Sequence, residues 1–247
     1  MSTTTPMIGR FTQESVMQTW FGTLVLLAGL TVAAPAAGGA SLESLSNQDA
    51  VTGLKDALVQ ASGKAVSQLG ASGGFLDNAK VRIPLPESIG RVESGLRLAG
   101  MGKQADELVV RMNSAAEMAV KESTPILSDT VKKMSVQDAK GILTGGDDSA
   151  TQYFRRTTST QLTQRFLPIV KQMTSKVQLA EQYDSLAGRA ANFGLMKQED
   201  ATLDSYVTRK ALDGLYLVIA DQERAIRKDP VGAATGMASK VFGMLGK

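Results

Sequence analysis

Apolar residues recur at intervals of three and four along most of the chain, and nowhere do they alternate long enough to build a sheet. Val51, Leu54, Leu58, Ala61, Ala65 and Leu69 fall on one helical stripe, which Gly70 and the Gly73-Gly74 pair bring to an end. Residues 80–86 (KVRIPLP) alternate and hold two prolines, so this stretch reads as a short strand or a bridging arm. Pro86 then sits where a first-turn proline opens a helix carrying Ile89, Val92, Leu96 and Ala99. A helix is predicted from about Lys103 to Ser123, stopping before Pro125, and a short one from Ile126 to Lys133. Ser135 with Asp138 caps another, which Gly145-Gly146 ends. Asp147 or Asp148 caps the helix of Tyr153 and Phe154, and the periodicity resumes from Leu162 to Tyr183 with a kink expected at Pro168. Leu203, Val207, Ala211, Leu215 and Val218 mark a helix from about Glu199 to Lys228, and Pro230 opens a last helix ending near Leu245. No repeat period and no long linker interrupts the series. The expected architecture is all-α: a single-domain multi-helix bundle with one short extended, Pro-containing arm.

The N-terminus departs from this pattern. Ser15 to Leu42 carries no charge, Arg10 is the basic residue before it, and its apolar heart runs from Trp20 to Ala34. Small residues, Ala36-Ala37-Gly38-Gly39-Ala40, follow Pro35. That order is the order of a secretory signal peptide, cut after Ala40 with a cut after Ala36 as the rival. The heart is shorter than the roughly 20 residues that span a bilayer as a helix. The expectation is a signal peptide over 1–40 and one helical domain over 41–247, located in the periplasm. The alternative is an uncleaved segment, the one case in which membrane contact is expected.

The 247 residues include no His and no Cys, which removes Ser-His-Asp triads, Cys nucleophiles, conventional zinc sites and disulfides. The formal net charge is +3, and no Lys/Arg run exceeds two residues, so nucleic acid is not an expected partner. No cofactor, metal or catalytic residue is assigned.

Four residues form the candidate ligand-binding set. Asn113 and Glu117, four apart among small alanines, face one side of a helix. They read as a buried helix–helix contact that fixes packing, or alternatively as polar groups in a pocket. Tyr153 reads as core packing with Phe154, or with Arg155 as the lining of a cleft. Gly145-Gly146-Asp147-Asp148 before a helix start, with Arg155 and Arg156 two turns on, suggests anion recognition, but it lacks the Lys of a phosphate loop and the alternating ligands of a calcium loop, and its acids are expected to cap a helix. Lys210 and Asp213 have the spacing of a surface ion pair, with a desolvated catalytic Lys as the rival reading. Glu181, Asp184, Glu199 and Asp200 are acids near loops and are expected to be solvated. The Ala/Gly/Met-rich last helix is expected to dock on its own bundle.

Several ordered words carry a resemblance: MNSAAE from Met112, MSVQDA from Met134, ILTGGD from Ile142, ATQYFR from Ala150, YVTRKALDGLY from Tyr206 and IRKDP from Ile226. The chain resembles the bacterial domain-of-unknown-function family numbered 4197 from about Val51 to Phe242. The resemblance implies an exported, mostly helical envelope protein without an assigned activity. Many members carry a lipidated Cys, and with no Cys here a form without a lipid anchor is expected. The functional expectation is non-enzymatic binding, between helices, of an apolar or amphipathic small ligand or an envelope partner protein. The alternatives are a hydrolase using carboxylate, Tyr, Arg and Lys groups in a helical cleft, and a structural oligomerisation module.

Overall fold

The computed structural model describes residues 47–87, 97–98, 100, 102–175, 180–181, 183–184, 192, 201–230 and 236–245. By its contacts the chain divides into Met1–Gly38 and Gly39–Lys247. The first unit, and with it the expected signal segment, lies outside the described residues, as does most of the helix expected after Pro86.

In the second unit the helices are α1 (Asn47–Gly70), α2 (Gly102–Lys121), α3 (Ser123–Lys133), α4 (Val136–Leu143), α5 (Ser149–Thr174), α6 (Leu203–Lys228) and α7 (Gly236–Leu245). No strand occurs among the described residues. The fold is an all-α bundle. α5 and α6 pack along each other, α2 lies against both, and α1 touches α2, α3, α4, α6 and α7. All six residues of the α1 stripe are buried, and Leu54, Ala65 and Leu69 are wholly so. Each fully buried Leu contributes about 2 kcal/mol of apolar transfer.

Local boundaries differ from the sequence expectation where proline and capping chemistry act. Pro125 does not separate two helices: α3 starts at Ser123, leaving only Glu122 between it and α2. The proline falls in the first turn, where its missing N–H has no intrahelical partner to lose. The two periodic stretches around Tyr153 and Leu162 are one helix, with Pro168 inside it. The carbonyl released by the proline is that of Gln164, a residue on the exposed side of α5 where water can satisfy it. α6 starts at Leu203, not Glu199, because Thr202 is extended (φ −131°, ψ 152°) and its hydroxyl accepts from Ser205 N. Ser135 and Asp138 form both halves of a capping box on α4, as expected. Ala238, Val241 and Phe242 of α7 are buried, and the helix lies on α1.

The arm resolves as extended backbone without a ladder. Val81 and Ile83 point inward while Arg82 and Pro84 are exposed. Its polar backbone is satisfied by the preceding turn, where Asn78 O accepts from Val81 N and Arg82 N, by the Tyr206 hydroxyl of α6, which donates to Pro84 O (3.2 Å), and by α2. Asn113 Oδ1 accepts from Ile83 N (2.8 Å), and Asn113 Nδ2 donates to Ile83 O (2.9 Å) and to Val109 O (2.8 Å). One turn on, Glu117 Oε1 accepts from Phe75 N and Leu76 N (3.1 and 3.3 Å). Gly214 of α6 makes the arm's close approach possible, since a Cβ there would stand 2.8 Å from the Phe75 ring. Asn113→Ala strands both buried groups of Ile83, and the expected loss is about 3 kcal/mol. Urea unfolding checks it, and a loss below about 1 kcal/mol means that the arm is held by its apolar contacts alone.

Candidate functional site

The best-connected region is where α4 ends and α5 begins. The sequence suggests Asp147 or Asp148 as the cap of α5, but Asp148 makes no side-chain bond to the helix backbone. It instead accepts from Gln152 Nε2 (3.0 Å). The free N–H groups are taken by Glu223 of α6. Its Oε1 accepts from Ala150 N (3.0 Å), and its Oε2 accepts from Thr151 N and Thr151 Oγ1 (both 2.9 Å). Glu223 is only 4% exposed. A buried carboxylate there is stabilised by the positive end of α5 and by a paired cation. That cation is Arg227, whose Nε and Nη2 donate to Glu223 Oε1 at 3.2 and 2.9 Å. Arg227 Nη2 also donates to Ile142 O and Ser149 Oγ (both 3.0 Å), and its guanidinium lies 5.6 Å from the Phe242 ring centre. One ion pair thus joins α4, α5, α6 and α7.

In front of this junction α4 and α5 diverge into an open cleft of about 270 Å³. Gln137, Asp138, Gly141 and Ile142 line one side and Ser149, Gln152, Tyr153 and Arg156 the other. The Arg156 guanidinium lies 5.7 Å from the Tyr153 ring centre and forms no salt bridge among the described residues, while its charge favours the ionised Asp138 carboxylate across the cleft. The Tyr153 hydroxyl and the Gln137 amide have no hydrogen-bond partner among the described residues. Burial, reinforced by the Asp138 charge and opposed by Arg156, raises the Tyr153 pKa, so the phenol stays a donor at neutral pH. Asp138 is held below the usual carboxylate range by the Ser135 hydroxyl and backbone N–H on its Oδ2. Gly141 lies within α4 without a positive φ, and nothing stands within 4 Å of the place its Cβ would occupy.

The four candidate residues are distributed over three surroundings. Asn113 and Glu117 come together on the arm, and both bind backbone there. Tyr153 lines the α4–α5 cleft. Arg155 turns to α6, where its Nη1 donates to Asp213 Oδ1 (3.1 Å) and its guanidinium stacks 4.8 Å from the Tyr216 ring centre. Asp213 also meets Arg209 (3.5 Å), and Lys210 lies over the Tyr206 ring instead of pairing with Asp213. Asp184 is not simply solvated: it accepts from Leu203 N (2.7 Å), and burial raises its pKa. Glu199 and Asp200 lie outside the described residues. Among the described residues no group of three or more acids could hold a metal ion.

Sequence reasoning missed Glu223, Arg227 and Gly141, and it named Arg156 only beside Arg155, as a clamp for an anion near the start of α5. A signal for Glu223 was present: it follows Ile219 by four and precedes Ile226 by three, on the buried side of α6. An acid at a core position needs a partner, and Arg227 is one turn on.

The ordered words of the sequence meet in space here: Ile142 of one, Ala150 and Thr151 of a second, and Arg227 of a third bond to one another through Glu223. The sequence model of the family described as "Protein of unknown function (DUF4197)" matches residues 44–243. The chain belongs to the DUF4197 family. No curated protein and no solved structure matches it. The match in DUF4197 takes in the arm, the α4–α5 cleft and the Glu223–Arg227 junction together.

Two outcomes are expected of the junction and its neighbour. Glu223→Gln leaves Arg227 buried without its counter-charge and should cost about 3 kcal/mol in chemical unfolding. A loss under 1 kcal/mol would show that the amide and the α5 cap suffice. Tyr216 is buried, with its hydroxyl 2.8 Å from Thr158 Oγ1. Thr158 commits its proton to Phe154 O, so the phenol is the donor. Burial raises the Tyr216 pKa above its ordinary 10.0, opposed by the Thr158 bond and the Arg155 charge. A raised folded-state pKa gives stability that is complete below pH 10 and lost as pH rises through the folded value. Tyr216→Phe should cost about 1 kcal/mol at pH 8 and make the decline above pH 10 shallower. An unchanged alkaline decline assigns it to other groups.

Proposed function

We propose that this DUF4197 protein is a non-catalytic binding protein of the cell envelope, which engages a partner protein or a small amphipathic ligand in the α4–α5 cleft. The observation that carries this reading is the set of uncommitted polar groups there: the Arg156 guanidinium, the Tyr153 hydroxyl and the Gln137 amide. Hydrogen-bonding groups held on rigid helices, with no partner of their own in the protein, favour recognition.

The other two clefts present no unpaired cation among the described residues, although Gln161 and Gln164 of the larger one also have uncommitted amides. A groove of about 370 Å³ between α3 and α5 has Glu122 and Arg165 on its lining, but these pair with each other at 3.0 Å. The more apolar groove between α1 and α3, lined by Val59, Ser62, Gly63, Val66 and Leu127 among others, measures about 130 Å³. Binding is favoured over catalysis because the carboxylates near the core are engaged. Glu117 holds the arm, Glu223 caps α5, Asp138 caps α4, and Asp221 is bonded to Lys80 and Arg224. Tyr153 and Tyr216 are both kept protonated by burial. Tyr153, Arg155 and Lys210, the groups a hydrolase would draw on, face different partners.

The envelope location rests on the uncharged N-terminal segment and its small-residue exit. No described helix is long and apolar enough to cross a membrane. Intact mass of the protein from its own cells should match Ser41 to Lys247, and an uncleaved mass would remove the soluble periplasmic form. A photo-crosslinking residue at position 137 or 152 should trap a discrete adduct in cells. One at Gln68, an exposed residue of α1, should not. No adduct, or equal adducts at all three positions, would overturn the cleft as the binding site.

A further inference from the structure

The α4–α5 cleft has a floor whose composition is not explained by the fold. Gly141 lies in an eight-residue helix, where glycine is a weak helix former. Its backbone does not require glycine, because its φ is not positive. Packing does not require it either, since no atom lies within 4 Å of the missing Cβ. Gly214 is the contrast: there a side chain would run into the Phe75 ring. Gly141 lines the cleft, and the place of its missing side chain is open space.

The groups around that floor define what fits. Gln137 and Gln152 stand on opposite walls; the Gln137 amide is uncommitted, while Gln152 Nε2 donates to Asp148 Oδ1 (3.0 Å) and keeps its carbonyl oxygen and second N–H for a peptide group. Asp138 has Oδ2 occupied by Ser135, leaving Oδ1 able to accept a partner N–H. Arg156, braced by the Tyr153 ring, offers its donors to one carboxylate. Arg156 and Asp138 together sum to no net charge, which disfavours a polyanion such as nucleic acid or an anionic lipid surface. The Tyr153 ring face is taken by Arg156, so it is not open for a sugar to stack upon. The cleft is small and open, which suits a stretch of chain passing across it better than an enclosed small molecule.

We infer that the α4–α5 cleft takes a short extended segment of a partner protein, its backbone lying across Gly141 and one acidic side chain seated on Arg156. The inference rests on the binding reading above and specifies its occupant. The Gln residues select the backbone, Arg156 selects the acid, and Gly141 permits the approach.

The test is selection of a random heptapeptide library on the full chain, followed by affinity measurements on the enriched peptides. The expected result is peptides that carry at least one Asp or Glu and bind Arg156→Gln at least tenfold more weakly. Gly141→Ala should raise the melting temperature by about 2–3 °C while weakening binding. Gly141→Leu should weaken binding at least tenfold with the melting temperature at or above that of the natural protein, which separates a blocked cleft from a damaged fold. Enriched peptides without acids that still lose affinity in Gly141→Leu would overturn the acidic segment and leave the cleft as the binding site. Peptides that bind both variants undiminished would overturn the cleft as their docking place. If no peptide is enriched, the inference fails; adducts at positions 137 and 152 in cells would then keep the binding reading with a different occupant, and their absence would end both.

Discussion

The Glu223 carboxylate on the first N–H groups of α5 is the interaction on which the arrangement of α4, α5, α6 and α7 depends. A helix start inside a protein needs acceptors, and ahead of α5 Gly146 O serves Ser149 N (3.1 Å) but leaves Ala150 N and Thr151 N without one. Asp148, at the cap position, has φ −127° and ψ 13°. It is outside the extended conformation from which a cap side chain turns back onto its helix. The acceptor therefore comes from α6, far away in sequence, and its charge brings Arg227 with it. Because Arg227 reaches Ile142 O and Ser149 Oγ, the same pair closes the end of α4. Neither charge is tolerable alone at this depth, so the four helices are held as a unit.

The arm follows the same rule at the other side of α2. Backbone that is neither helix nor sheet can be buried only if polar side chains stand in for the missing ladder. Asn113 does this with both ends of its amide, and Glu117 does it with one oxygen. Both are core positions of α2 that periodicity alone would fill with apolar residues. Asn113, Glu117 and Glu223 are thus supports for backbone groups without a regular partner, while Ser62, Thr158 and Thr174 bond to their own helices.

Much of the bundle is legible in its sequence because it follows from local chemistry. The α1 stripe, the Ser135–Asp138 capping box, the extended arm and the docking of the last helix all rest on residues close in the chain. Boundaries at Pro125 and Glu199 were harder. Proline is accepted in a first helical turn as well as after a last one, and Thr202 competes with Glu199 as a start. The junction was not legible, since nothing local shows that Glu223 belongs to the start of α5. Of the four candidate residues Tyr153 alone lines the α4–α5 cleft. Asn113 and Glu117 have the composition of a pocket pair but the geometry of a support, and Arg155 and Arg156 differ by one residue and so by a hundred degrees around α5.

The placement of the cap also bears on when the cleft can exist. Ala150 and Glu223 are separated by 73 positions. A chain that emerges N-terminus first therefore has α4 and α5 complete well before the acid that seats one against the other. Until α6 arrives, the start of α5 has its free N–H groups in water and nothing fixes its angle to α4. The angle between α4 and α5 is thus fixed only once the segment that carries Glu223 has been made.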